Sequence, residues 1–126
     1  MRTGYKAEIR EHSKELSAKE KIMMKDFSDA EQFDEIIGDT PMVITPESWA
    51  EIAVHNENSK NDKDYMKYVI IDKDGRKYIT GSNSFWDSFM DIWGDMSGED
   101  EEWAIKVYKK KSNNYAGKCF LTCSIV

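Results

Sequence analysis

The segment KVYKKKSNNYAGK carries the densest chemistry in the chain: Lys106, Lys109, Lys110, Lys111 and Lys118 alternate with Tyr108 and Tyr115, with Asn113 and Asn114 between them. Ammonium groups that follow a phosphate backbone, set beside flat rings on which bases stack, are what an unstructured nucleic-acid strand requires. The same residue types recur upstream in YMKYVIIDKDGRKYIT, as Lys67, Tyr68, Arg76, Lys77 and Tyr78. A second reading stays open. A lysine run also suits a solvated turn that protects an edge strand, and strand tyrosines also suit half-buried packing.

Catalytic patterns are missing. The sequence contains no glycine-rich phosphate loop, no H-E-x-x-H and no nucleophile elbow. Asp72 and Asp74 in IDKDG have the spacing of a carboxylate pair, but D-x-D-G between two apolar runs reads as a hairpin turn. His55 in AVHNEN has polar neighbours, Asn56 and Glu57, and without a second convergent group reads as a strand-end residue rather than a base. Cys119 and Cys123 share one face of a strand about 13 Å apart, beyond disulfide reach, and read as buried small hydrophobes. His12 and His55 add no metal-ligand spacing. The expectation is a protein that is not an enzyme and needs no cofactor or metal.

The 126 residues suffice for one hydrophobic core, and 40% hydrophobic with 33% charged residues is the balance of a soluble globular domain. The formal net charge of -6 conceals a segregation. From Asp87 to Glu102 every ionisable residue is acidic, and from Ala104 to Val126 every charged side chain is basic. A local basic face can therefore attract phosphate while the rest keeps the total negative. No apolar run approaches the roughly 20 residues that cross a bilayer, and the first residues lack the apolar stretch of a signal peptide. A cytoplasmic location without membrane contact is the expectation.

The elements that must carry these residues follow from periodicity. Tyr5 to Asp26 is rich in helix formers, with a capping-box pattern at Ser17-Ala18-Lys19-Glu20, and its few apolar side chains suggest a loosely attached arm. Asp29 to Ile37 reads as a short helix closed by a left-handed Gly38. Strands follow at Met42 to Thr45 and Trp49 to His55, the latter placing Ala50, Ile52 and Val54 on one face. Tyr65 to Ile71 and Arg76 to Thr80 form a hairpin across DKDG. Phe85, Phe89, Ile92 and Met96 recur at helical spacing after a Ser82 or Ser84 cap, with Trp86 and Trp93 on the same apolar stripe. Two strands close the chain, Trp103 to Tyr108 and Lys118 to Ile125. Taken together, residues 1–38 read as an N-terminal helical arm and residues 39–126 as a mainly β, α+β domain. Its element order is that of a five-stranded OB-like Greek-key barrel with a helix between strands three and four.

The segments HNENSKNDKDYMKYVIIDKDG, KYITGSNSFWDSF and KVYKKKSNNYAGKCFLTCSIV resemble a group of small single-stranded DNA-binding proteins encoded by bacteriophages and mobile elements of Gram-positive bacteria. The resemblance runs from LSAKEKIMMKDF to the end, and its most specific parts are TGS before an aromatic helix and the closing SNNYAGKCFLTC. It implies an OB-type domain that coats single-stranded DNA with low sequence preference during replication or recombination. A homo-oligomer and replication or recombination proteins would then be its partners. Many bacterial single-strand binders end in an acidic tip, whereas this chain ends in SIV. Any recruitment of partners must use another surface, for which Asp95 to Glu102 is a candidate, although that stretch reads more simply as a solvated loop. An alternative from another class is a phage protein acting by protein contact, such as an acidic mimic of DNA that inhibits a host nuclease. The run from Asp87 to Glu102 favours that alternative and the all-basic C-terminal section opposes it.

Overall fold

Tyr5, Ala7 and Ile9 alternate with Lys6, Glu8 and Arg10, and this period of two makes the first element a strand, β1 (Tyr5–His12). The computed structural model describes residues 4–38, 40–60, 62–111 and 119–126. In it, β1 pairs antiparallel with β4 (Pro46–Asn56), Ala7 opposite Val54 and Ile9 opposite Ile52. The expected helical arm is thereby corrected: the charges of this segment lie on one exposed face, and Tyr5, Ala7 and Ile9 pack against the core. Helix begins only at α1 (Ala18–Lys25). There the predicted capping box forms, the Ser17 amide donating to Glu20 Oε1 at 3.1 Å and the Glu20 amide to Ser17 Oγ at 3.2 Å.

The second expected helix is shorter than its sequence pattern. A two-residue strand, β2 (Glu31–Gln32), precedes α2 (Phe33–Ile36), and the helix ends at Ile37 in extended geometry. Phe33 and Ile37 are both buried, so the chain leaves the helix where its apolar side chains must turn inward. Gly38 does not adopt the left-handed conformation, which the described residues use only at Gly4 and Gly75.

The remaining elements are β3 (Met42–Ile44), β5 (Asp64–Asp72), β6 (Lys77–Thr80), α3 (Asn83–Met96), β7 (Ile105–Lys111) and β8 (Cys119–Ile125). The fold is mixed α+β and mostly strand. One sheet has the order β1-β4-β5-β6-β2 and the other β3-β7-β8. Neither closes into a barrel, which corrects the single closed five-stranded sheet expected from element order. The chain forms two compact units, Met1–Glu31 with Glu47–Gly81 and Gln32–Pro46 with Ser82–Val126. Each draws on both sides of residue 38, so neither coincides with the expected arm or domain.

In the first unit, Leu16 and Met24 pack against Ala50, Ile52 and Val54 of β4, Val69 of β5 and Ile79 of β6. Each of these side chains larger than Ala50 contributes about 1.5–3 kcal/mol when fully removed from water. The β5–β6 turn is held by Asp72. Its Oδ1 accepts from the amides of Asp74 at 3.0 Å and Arg76 at 2.9 Å, and Gly75 takes φ 86°, which a side chain would resist. The carboxylate of IDKDG is thus occupied with turn chemistry.

In the second unit, α3 starts at Ser82, whose Oγ accepts from the Phe85 amide at 3.2 Å. Its apolar stripe builds a chain of rings. Phe33 meets Phe85 at 5.2 Å between centroids, Phe85 meets Phe89 at 6.1 Å, and Trp86 meets Phe89 at 5.1 Å. Phe89 reaches Trp93 at 6.0 Å, and Trp93 stands edge-on to Trp103 at 5.9 Å. Ile44, Ile105, Val107, Leu121 and Cys123 complete the buried apolar set of the three-stranded sheet.

Candidate nucleic-acid interface

Strand alternation sorts the lysine run of β7 onto two faces. Ile105 and Val107 are buried, so Lys106, Tyr108 and Lys110 belong to the opposite, open face. Residues directly opposite each other in an antiparallel pair share a face. The register puts Val43 and Ser124 beside Lys106, Phe120 beside Lys110, and beside Tyr108 the buried Thr122, whose Oγ1 is 3.2 Å from Ser88 Oγ of α3, so the face is open at its two lysines and approached by α3 at its middle. Val43 is 57% exposed and Phe120 36%. The result is a sheet surface of two ammonium groups, two rings and an apolar rim, and no carboxylate side chain occurs in β3, β7 or β8.

Contacts within this face set the ring geometry. The Lys106 ammonium lies 5.2 Å from the centre of the half-buried Tyr108 ring, and the Tyr108 hydroxyl is 2.9 Å from Ser124 Oγ. That hydroxyl contact holds the ring down on β8. Lys106 and Lys110, four residues apart on one strand, stand about 13 Å from each other. Lys109 and Lys111 fall on the other parity. Lys109 is exposed and donates to the Asp34 carbonyl at 3.1 Å, and Lys111 is exposed opposite Cys119.

Phe120 and Val43 were not among the residues expected from sequence. Their position depends on the pairing register of three strands, which no local pattern reports. Conversely, Asn113, Tyr115 and Lys118 lie outside the described residues.

The hairpin residues are placed differently. Tyr68 and Tyr78 are buried, and the Tyr78 hydroxyl donates to Asp72 Oδ2 at 3.3 Å. Burial pushes the Tyr78 hydroxyl above the usual tyrosine range. Lys77 is buried as well, donating to the carbonyls of Met23 and Asp26. These three side chains serve packing, correcting the expectation that they line an open site. Arg76 is exposed, and its hydrogen bond to Tyr78 raises the guanidinium pKa further above its ordinary value. Lys67 is half-buried, its ammonium 6.0 Å from the centre of the Tyr65 ring. All five belong to the first unit and β7 to the second.

Asp87, Asp91 and Asp95 form one exposed stripe of α3, and Glu99 to Glu102 are exposed beyond it. Of the cysteines, both free, Cys123 is buried as expected, but Cys119 is exposed.

His55 proves to have the convergent groups that its sequence neighbourhood did not disclose. Its Nδ1 is 2.6 Å from Asp64 Oδ1 and its Nε2 2.6 Å from Glu57 Oε1, while Lys63 donates to Glu57 Oε2 at 3.2 Å. The Asp64 contact, then that with Glu57, raises the imidazole pKa above its ordinary value. A ring clasped by two carboxylates is an ion-pair tether between strand ends, with neither nitrogen open to take a substrate's proton.

No helix among the described residues is long and apolar enough to cross a membrane. Neither a family model, nor a curated protein, nor a solved structure matches this chain.

Proposed function

We propose that this protein binds single-stranded DNA without catalysing a reaction on it, and that the open face of the β3-β7-β8 sheet is where the strand lies. The observation that carries this reading is the placement of Lys106, Tyr108 and Lys110 on one face, with Phe120 directly opposite Lys110. Lysines supply a salt-sensitive attraction through counterion release, and each stacked base adds about 1–3 kcal/mol. Sequence preference is low because every base has a π-face. Lys109 and Lys111 lie on the other parity of β7, and Asn113, Tyr115 and Lys118, which lie outside the described residues, join the proposed binding set on their residue types alone. The role is coating of single strands in phage or mobile-element replication or recombination, as the sequence resemblance implies. Likeness to OB domains enters at the level of element order, since β4, β5, β6, α3, β7 and β8 follow one another as barrel strands and plug would.

The test is a binding series with labelled poly-dT, duplex DNA and RNA of equal length over a range of salt. Preference for poly-dT, lost on joint replacement of Lys106 and Lys110 by Ala, supports the reading. Equal affinity of that variant and the parent protein removes the sheet face from the site. Absence of binding to all three polymers returns the protein to the class that acts by protein contact.

A further inference from the structure

We infer that β1 is a docking edge for a second copy of this chain, joining two five-stranded sheets antiparallel through β1 of each. The inference is independent of DNA binding and rests on the first unit alone.

β1 stands at the end of its sheet, with β4 its only strand neighbour among the described residues. The outer side of such a strand presents backbone amides and carbonyls that a further strand can pair. That side borders an open groove of about 450 Å³, lined by the consecutive residues Lys6, Ala7, Glu8 and Ile9 and by Lys21 and Lys25 of α1. Consecutive lining residues mean that the backbone edge itself faces the groove. Beside it, Ile22 of α1 is 66% exposed and lines a second cavity with Tyr5 and Phe27. Tyr5, Ala7 and Ile9 are only half-buried although they pack against the core.

The charges of β1 select the occupant and its register. When two copies pair antiparallel about Ala7, Ala7 meets its own copy, Lys6 meets Glu8 twice and Tyr5 meets Ile9 twice. Opposite charges then face each other on one side of the joined sheet and apolar side chains on the other, each pair a favourable cross-strand contact. Pairing about Glu8 instead sets Glu8 on Glu8 and Lys6 on Arg10, which like-charge repulsion disfavours. Pairing about Ile9 sets Ala7 against Glu11 and must cross the irregularity between Ile9 and Glu11. Only the Ala7 register uses the regular part of the strand and satisfies both faces. A two-fold axis at a small residue is the self-complementary arrangement that closed dimers need.

The experiment is sedimentation equilibrium of the full chain without nucleic acid, for the parent protein and for Lys6→Glu, Glu8→Lys and the double swap K6E/E8K. The exposed sites leave the fold intact, which circular dichroism and the thermal midpoint verify for each variant. The expected result is a dimer, weakened at least about tenfold in each single variant, where like charges now face each other, and restored in the double swap. A protein monomeric at every concentration up to a few hundred micromolar overturns the inference. So does a dimer that ignores the single changes, or one that the double swap fails to restore.

Discussion

The ammonium of Lys77 lies 2.8 Å from Asp29 Oδ1, yet the two side chains live in different solvents: Lys77 is 6% exposed and Asp29 67%. The same ammonium donates to the carbonyls of Met23 and Asp26 where α1 ends, the Met23 carbonyl also accepting the Asp26 amide at 3.3 Å. Lys77 therefore acts as a buried cap for the α1 terminus, with Asp29 as its exposed counter-ion. Replacing Lys77 with Ala should cost about 2–4 kcal/mol, since it opens a cavity and removes the charge-assisted hydrogen bonds to both carbonyls. Asp29→Asn keeps an oxygen acceptor for the buried ammonium but removes its counter-charge, and should cost less, about 1–2 kcal/mol. Urea unfolding of the two variants checks the contrast, and equal losses would contradict the cap.

Truncation through His12 removes β1, exposes the edge of β4 and uncovers the side of the core on which Tyr5, Ala7 and Ile9 pack. A loss of roughly 2–5 kcal/mol is expected from the apolar area returned to water. Differential scanning calorimetry measures it. An unchanged midpoint would mean that β1 is an appendage after all.

The His55 clasp predicts a pH window. The imidazole pKa is raised above its ordinary 6.5, so the charged ring's contribution is complete below that value and fades as pH climbs through the folded-state pKa. The carboxyl of Glu57 is lowered from its ordinary 4.5 by its hydrogen bond to His55, so its contribution is present above 4.5 and fades as pH falls through the lowered value. The tether is tightest between 4.5 and 6.5. Protection of the Asn56 amide, bonded to the Lys63 carbonyl at 2.7 Å, should peak there in hydrogen exchange and lose its pH dependence in His55→Gln.

On the basic sheet face, Lys106→Ala with Lys110→Ala should reduce the slope of log K against log salt by about 1.4 for single strands, two contacts at about 0.7 each. Phe120→Ala should weaken poly-dT binding by about 1–3 kcal/mol, and Tyr108→Phe should retain it, because stacking needs the ring and not the hydroxyl. Fluorescence anisotropy at several salt concentrations reads both. Full affinity in folded Phe120→Ala would exclude that ring as a platform.

The cysteines should differ in reactivity. Burial pushes the Cys123 thiol up to about 12, which leaves almost no thiolate at neutral pH, whereas Cys119 is exposed. A thiol reagent under native conditions should label one equivalent at Cys119, and the second only after unfolding. Rapid labelling of both would show that the β8 core opens readily.

The sequence by itself determined what depends on near neighbours: the Ser17–Glu20 capping box, the Asp72-centred turn, the Ser82 cap and the aromatic stripe of α3, each a contact within a few residues. It also disclosed the run of like charge along β7. It misread β1, because Lys, Glu and Arg favour helices in isolation and only a partner strand rewards the alternation of Tyr5, Ala7 and Ile9. The tertiary structure alone decided which cations and rings face outward. Lys77, Tyr68 and Tyr78 have the same chemistry as Lys106, Lys110 and Tyr108, but packing buries the first three, while alternation on the second sheet leaves the two lysines exposed and Tyr108 half-buried. Phe120 joins the candidate site through the β7–β8 register, and a shift of one residue would turn it to the opposite face.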